Sequence, residues 1–169
     1  RKDHARVEAY GDVDELNSIL GMAAAQLAAA GEMELSSNLR DIQAELFTLG
    51  ANLATPGPED GGRPSSTIPE LPEERIAQLE RWIDEAEEEL EPLRAFVLPG
   101  GTPAASALHL ARTVCRRAER RLVTLAHEAH IQEGFLVYLN RLSDLLFTLA
   151  RLANCRSGVQ DVPWTPNPR

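Results

Sequence analysis

Between Arg112 and Arg121, ten residues carry five arginines (Arg112, Arg116, Arg117, Arg120 and Arg121) and one carboxylate, Glu119. Arginine at this density points to anion chemistry. Its guanidinium fork grips a phosphate or carboxylate with two parallel hydrogen bonds and stays charged. At about 100° per residue on a helix, Arg112, Arg116 and Glu119 project within roughly 60° of one another, at the border of an apolar stripe. Arg117, Arg120 and Arg121 fall on the outer faces. Flanking charges on an amphipathic helix ordinarily form a solvated face with i,i+4 ion pairs, and that reading stands beside the anion site. Near the start of the chain, Asp14, Asn17, Ser18 and Gly21 share a face next to a second apolar stripe. Asp14 there needs a partner if it is buried. Asn140, Asp144 and Arg151 line a third polar face, of the kind that often only supplies hydrogen bonds within a bundle. Phe96 opens an apolar FVLPGG turn and by composition reads as core.

The elements that must position these groups are helices. Val13, Leu16, Leu20, Ala23 and Leu27 repeat at heptad spacing in a helix from about Val7, which Gly31 ends. Leu35, Leu39, Ile42, Leu46, Leu49 and Leu53 define a second helix, from about Leu35 to Leu53. Residues 55–69, rich in proline and glycine, read as a flexible exposed loop. The third helix has Pro72 near its first turn, a stripe of Ile76, Leu79, Ile83, Ala86 and Leu90, and a glutamate-rich solvent face, and it is closed by Pro92. The arginine helix buries Leu108, Ala111, Cys115, Ala118, Leu122 and Leu125. The last, from about Gln132 to Asn154, buries Phe135, Tyr138, Leu142, Leu145, Leu149 and Leu152. With no alternating strand pattern, these five segments predict an all-α, five-helix antiparallel bundle of the ferritin-like kind. Residues 1–169 are expected to form a single domain, with residues 157–169 as an extended tail.

Composition narrows the function. The chain has 169 residues and a formal charge of −9, from 26 acidic against 17 basic residues, so the arginines are a positive island on an acidic body. A general nucleic-acid binder would carry a basic face instead. No apolar run reaches the ~18 residues of a membrane span, and no leader is visible, so a cytoplasmic protein is expected. Cys115 and Cys155 have no metal-motif spacing and read as buried free thiols. A di-iron centre would need Glu-x-x-His pairs, and none of His109, His127 and His130 follows a glutamate by three. Neither a Gly-rich dinucleotide turn, nor a P-loop, nor a nucleophile elbow is present.

Four segments together carry a resemblance. VEAYGDVDELNS (Val7–Ser18), FVLPGG (Phe96–Gly101), ALHLARTVCRRAERR (Ala107–Arg121) and LNRLSDLLFTLAR (Leu139–Arg151) are similar, in order and spacing, to the PduO-type family of ATP:cob(I)alamin adenosyltransferases. The resemblance runs from about Lys2 to Arg156. It implies transfer of the 5′-deoxyadenosyl group of ATP to the cobalt of cob(I)alamin, with release of triphosphate. It further implies Mg²⁺ carried on ATP rather than in a protein cage, and a homotrimer with sites between subunits. A reductase and an adenosylcobalamin-dependent acceptor enzyme are implied as further partners. By resemblance Arg112 and Arg116 are catalytic together with Asp14, which pairs with Arg112. Lys2, Arg116, Arg117, Glu119, Arg120 and Asn140 bind ATP. Phe96 packs beneath the corrin ring and helps displace the lower axial base, leaving a four-coordinate cobalt that is easier to reduce. Asp144 is expected to fix an arginine of the preceding helix on the cobalamin side. The family's Thr/Gly-rich loop that wraps ATP would lie upstream of Arg1, and a chain without it is expected to bind ATP poorly. Two alternatives stay open: a non-catalytic bundle acting as adenosylcobalamin carrier or sensor, and a plain interaction scaffold.

Overall fold

The computed structural model describes residues 4–55, 57, 61 and 69–166. Five helices follow in order: α1 (Ala5–Ala29), α2 (Met33–Ala54), α3 (Glu74–Glu87), α4 (Pro103–Ala126) and α5 (Glu133–Arg156). α1 packs against α2 and α4, α4 against α5, and α5 against α3, so the arginine helix lies between α1 and α5. Among the described residues the only strand-like feature is one antiparallel bridge, Val97 to Pro163.

The helices begin and end where local chemistry directs. The His4 ring accepts a hydrogen bond from the Arg6 backbone N–H and caps α1. Gly31, at φ 87°, turns the chain out of it. Thr102 caps α4 by accepting from the Ala105 N–H at 3.1 Å, and Pro103 occupies the first turn, where its missing donor costs nothing. Every residue of the α4 stripe is buried, as are those of α1, α2 and α5. Burying each large apolar side chain contributes about 1.5–3 kcal/mol. A few polar side chains tie the helices across this core. Asn17 and Gln43 each donate to the other's backbone carbonyl, at 3.2 and 3.0 Å. Tyr138 donates to Glu45 at 2.5 Å, and Glu45 also pairs with Arg75.

Three expectations change. α3 ends at Glu87, and Leu90 lies in the turn beyond it. A run of glutamates at the negative end of the helix dipole opposes any further turn. Cys155 is exposed, because it sits near the end of α5 outside the stripe, while Cys115 is buried and burial pushes its thiol far above the usual range. The tail is extended as expected, but it is bonded: Leu98 N–H donates to Val162 C=O at 2.8 Å and Trp164 N–H to Phe96 C=O at 2.6 Å. Most of the loop expected over residues 55–69 lies outside the described residues.

Candidate functional site

Arg112 and Arg116 reach from α4 into a cavity of about 370 Å³ against α5, where Ser143, Asp144, Phe147 and Thr148 form the facing wall. The placement follows from the wheel. The a/d stripe of α4 goes into the core, and the two arginines, one turn apart, come up at its edge beside α5. The Arg112 guanidinium lies over the Phe147 ring at 5.9 Å, a cation–π contact. Its Nε is buried and has no hydrogen-bond partner. Burial, and then the neighbouring Arg116 charge, pull Arg112 below the usual arginine value. Two like charges stand side by side, one of them partly desolvated and incompletely bonded. Such an arrangement is relieved by an anion.

Glu119 and Asn140 are brought together: the Asn140 amide donates to Glu119 Oε1 at 3.0 Å, joining α4 to α5. Arg120 is exposed, one turn beyond Arg116. Asp144 lines the cavity with the arginines, but its ion pair is with Arg141 of its own helix at 3.3 Å, not with an arginine of α4. The spacing explains this, because Arg141 at i−3 is the nearest cation on its face.

Two expected partners lie elsewhere. Asp14 is exposed, and within the chain no ion pair joins it to Arg112. Its side chain lies outside the buried stripe of α1, one position from the buried Val13. Arg117, expected on the nucleotide, engages Asp12 at 3.2 Å and also Glu15, and the neighbouring acids hold its charge. Lys2 lies outside the described residues. The signal for the Arg117 pairing was present in the sequence: Glu8, Asp12 and Glu15 form an i, i+4, i+7 acidic row on α1, and Arg117 and Arg121 an i, i+4 basic row on α4. Because Arg121 and Glu8 are both about half exposed, Arg121→Ala is expected to cost under about 1 kcal/mol in a denaturant titration and to leave the cavity unchanged.

Phe147 and His109 went unrecognised in the sequence. Phe147 falls off the a/d stripe of α5, and an off-stripe aromatic on a bundle helix is the clue that pattern offers. His109 packs its ring edge-on against Phe147 at 6.0 Å, is almost fully buried, and leaves Nδ1 without a partner. Burial first, and Arg112 second, lower its pKa, with Asp161 opposing them. The unfolded chain accepts a proton near pH 6.5, which folded His109 resists. Stability is therefore fully present above about pH 6.5 and falls as the pH drops through the lower folded value. Denaturation midpoints between pH 7.5 and pH 5 should show this loss in the wild type, with a shallower slope in His109→Gln.

Phe96 stands on the loop before α4, 77% exposed, and is not in the cavity wall. That loop is fixed from α5. The Asn154 carbonyl oxygen accepts from Thr102 N–H at 2.9 Å, and its amide donates to Gly100 C=O and Asp161 Oδ1, each at 3.1 Å. Gly101, at φ 102°, lies so close to this amide that an added Cβ would come within 2.1 Å of it.

The chain is similar to known proteins over most of its length. A family model described as cobalamin adenosyltransferase matches residues 1–153. The corrinoid adenosyltransferase of Bacillus subtilis (strain 168) is 46% identical over 164 residues, covering 96% of this chain and 81% of that protein. The corrinoid adenosyltransferase PduO of Salmonella typhimurium is 47% identical over 150 residues, covering 89% of this chain; the chain spans only 43% of that relative's length. Among solved structures, a variant PduO-type ATP:corrinoid adenosyltransferase from Lactobacillus reuteri, complexed with cobalamin and ATP, superposes with a TM-score of 0.88 at 39% identity, covering 98% of this chain and 88% of that one.

Proposed function

This chain belongs to the cobalamin adenosyltransferase family, and we propose that it moves the 5′-deoxyadenosyl group of ATP onto the cobalt of cob(I)alamin, forming adenosylcobalamin and releasing triphosphate. The observation that carries the reading is the pair Arg112 and Arg116 at the cavity, with the Arg112 Nε buried and unpartnered. The reduced cobalt supplies the electron pair that attacks C5′ of ATP. A cobalt–carbon bond forms, the C5′–oxygen bond breaks, and triphosphate leaves with the electrons of that bond. The protein's work is to hold the two substrates in line and to stabilise the charge that builds on the leaving group.

Arg112, Arg116 and Arg120 meet the triphosphate, with Lys2 as a further phosphate contact and Mg²⁺ arriving on the nucleotide. The Glu119–Asn140 hydrogen bond sets the nucleotide side of the site across α4 and α5. Arg117, held by Asp12 and Glu15, orders α4 against α1 next to the phosphate groups. Phe96 lies beneath the corrin ring, and Asp144 stands on the corrinoid side of the cavity. A volume of about 370 Å³ is near the lower end of ligand pockets, which run from ~300 to 1,000 Å³. Two substrates of this size need walls from more than one subunit. In this reading the protein acts as a cytoplasmic homotrimer with shared sites, as the family resemblance implies. A reductase delivers the cob(I) state, and an acceptor enzyme takes the product.

Anaerobic incubation with chemically reduced cobalamin and Mg-ATP tests the reading through loss of cob(I)alamin absorbance. Tight binding of adenosylcobalamin without turnover would mark a carrier or sensor instead.

A further inference from the structure

Asn154 is 2% exposed and uses both amide N–H groups and its carbonyl oxygen, all on segments outside its own helix. Three parts of the chain meet there. One is the Gly100–Thr102 turn that starts α4. Another is the tail, through Asp161, whose second carboxylate oxygen accepts from Arg151 Nε at 3.1 Å. The third is the segment leading out of α3, because Arg151 also donates to Glu91 C=O at 2.8 Å. Beyond Asp161, the tail runs antiparallel to the loop, with hydrogen bonds on either side of Val97.

The consequence falls on Phe96. Its ring is 77% exposed, so burial does little to fix it, and a free loop would let it fold onto apolar neighbours. Its backbone is held instead: its carbonyl accepts from Trp164 N–H, and five residues on, Gly101 is locked beneath Asn154. A single exposed aromatic is ordinary on a protein surface. One whose backbone is fixed from both sides is presented.

We propose that Asn154, braced by Asp161 and Arg151, is a positioning residue that holds the loop so that Phe96 is presented to the corrinoid substrate. This rests on the adenosyl-transfer reading above. Asn154 touches none of the side chains assigned to ATP and does not line the arginine cavity, so its loss should separate the two substrates kinetically.

The full-length chain is the material for the test, as wild type, Asn154→Ala and Asp161→Asn. Hydrogen exchange of the amides from Val97 to Thr102 should quicken about tenfold or more in Asn154→Ala, which loses all three side-chain hydrogen bonds, with α4 and α5 unchanged. In adenosylation assays the KM for cobalamin should rise about tenfold while the KM for ATP stays within about twofold. Asp161→Asn keeps the shape and loses the negative charge facing Arg151, so it should shift the same parameters less, and it serves if Asn154→Ala does not fold. Unchanged exchange in the loop, or KM values that rise together for both substrates, would overturn the proposal. A wild type that exchanges as described but transfers no adenosyl group would instead overturn the functional reading, and Phe96 presentation with it.

Discussion

Replacing Arg112 by alanine is expected to lower adenosyl transfer by about 10²- to 10³-fold, the loss seen when one preorganised charge-stabilising donor is removed from a site. The effect should fall on kcat, because the triphosphate gains charge as the C5′–oxygen bond breaks and the guanidinium is worth most at that moment. Arg112→Lys should recover little. A lysine has no planar fork, cannot lie over Phe147 in the same way, and holds its charge at a single point. Stability should change far less than activity. Among the described residues Arg112 has no carboxylate partner, so the ~3–5 kcal/mol cost of breaking a buried ion pair from one side is not expected. Steady-state rates alongside denaturant midpoints for Arg112→Ala, Arg112→Lys and Arg121→Ala check this. Arg121→Ala, whose guanidinium pairs with α1, is the control expected to keep full rate.

Gly101→Ala is the other large effect. A φ of 102° is a conformation that L side chains rarely adopt, and the new methyl would sit 2.1 Å from the Asn154 amide. Because Asn154 is buried and fully bonded, it has no free rotamer to retreat into. Backbone strain and overpacking of about 1–3 kcal/mol each add to an expected loss of about 2–6 kcal/mol. If the loop moves to relieve the strain, Phe96 moves with it, and transfer should fall even in protein that remains folded. Gly100→Ala is the comparison: an added Cβ there meets nothing within 4 Å, although φ 157° remains unfavourable. A milder loss than Gly101→Ala in thermal melts and in turnover is the expected outcome.

The helices were legible because a heptad stripe reports burial directly. Leu108, Ala111, Cys115, Ala118, Leu122 and Leu125 repeat at that spacing, and all are buried. The arginine cluster was legible as a cluster, but its residue types left a solvated face and an anion site both open, and only the family resemblance favoured the anion site. The wheel could say that Arg112 and Arg116 share a direction, and both line the cavity. It could not say which helix lies in that direction. For that reason the pairings within the chain were not legible: Arg117 meets Asp12 and Glu15, and Asp144 turns to Arg141 rather than to an arginine of α4. Side-chain pairing between helices depends on their relative rotation, which no single-helix pattern contains. The Asn154 clamp was hidden for another reason. It links residues up to 54 apart in sequence, and two of its three bonds go to backbone groups, which carry no residue-type signal.

The central claim is a transfer that makes one cobalt–carbon bond and expels the whole triphosphate of ATP. The most direct test counts products in one anaerobic reaction of the full chain with cob(I)alamin and Mg-ATP. One triphosphate for each adenosylcobalamin formed is the predicted result. Release of phosphate or diphosphate without a light-sensitive cobalt–carbon product, or no turnover at all, would contradict it.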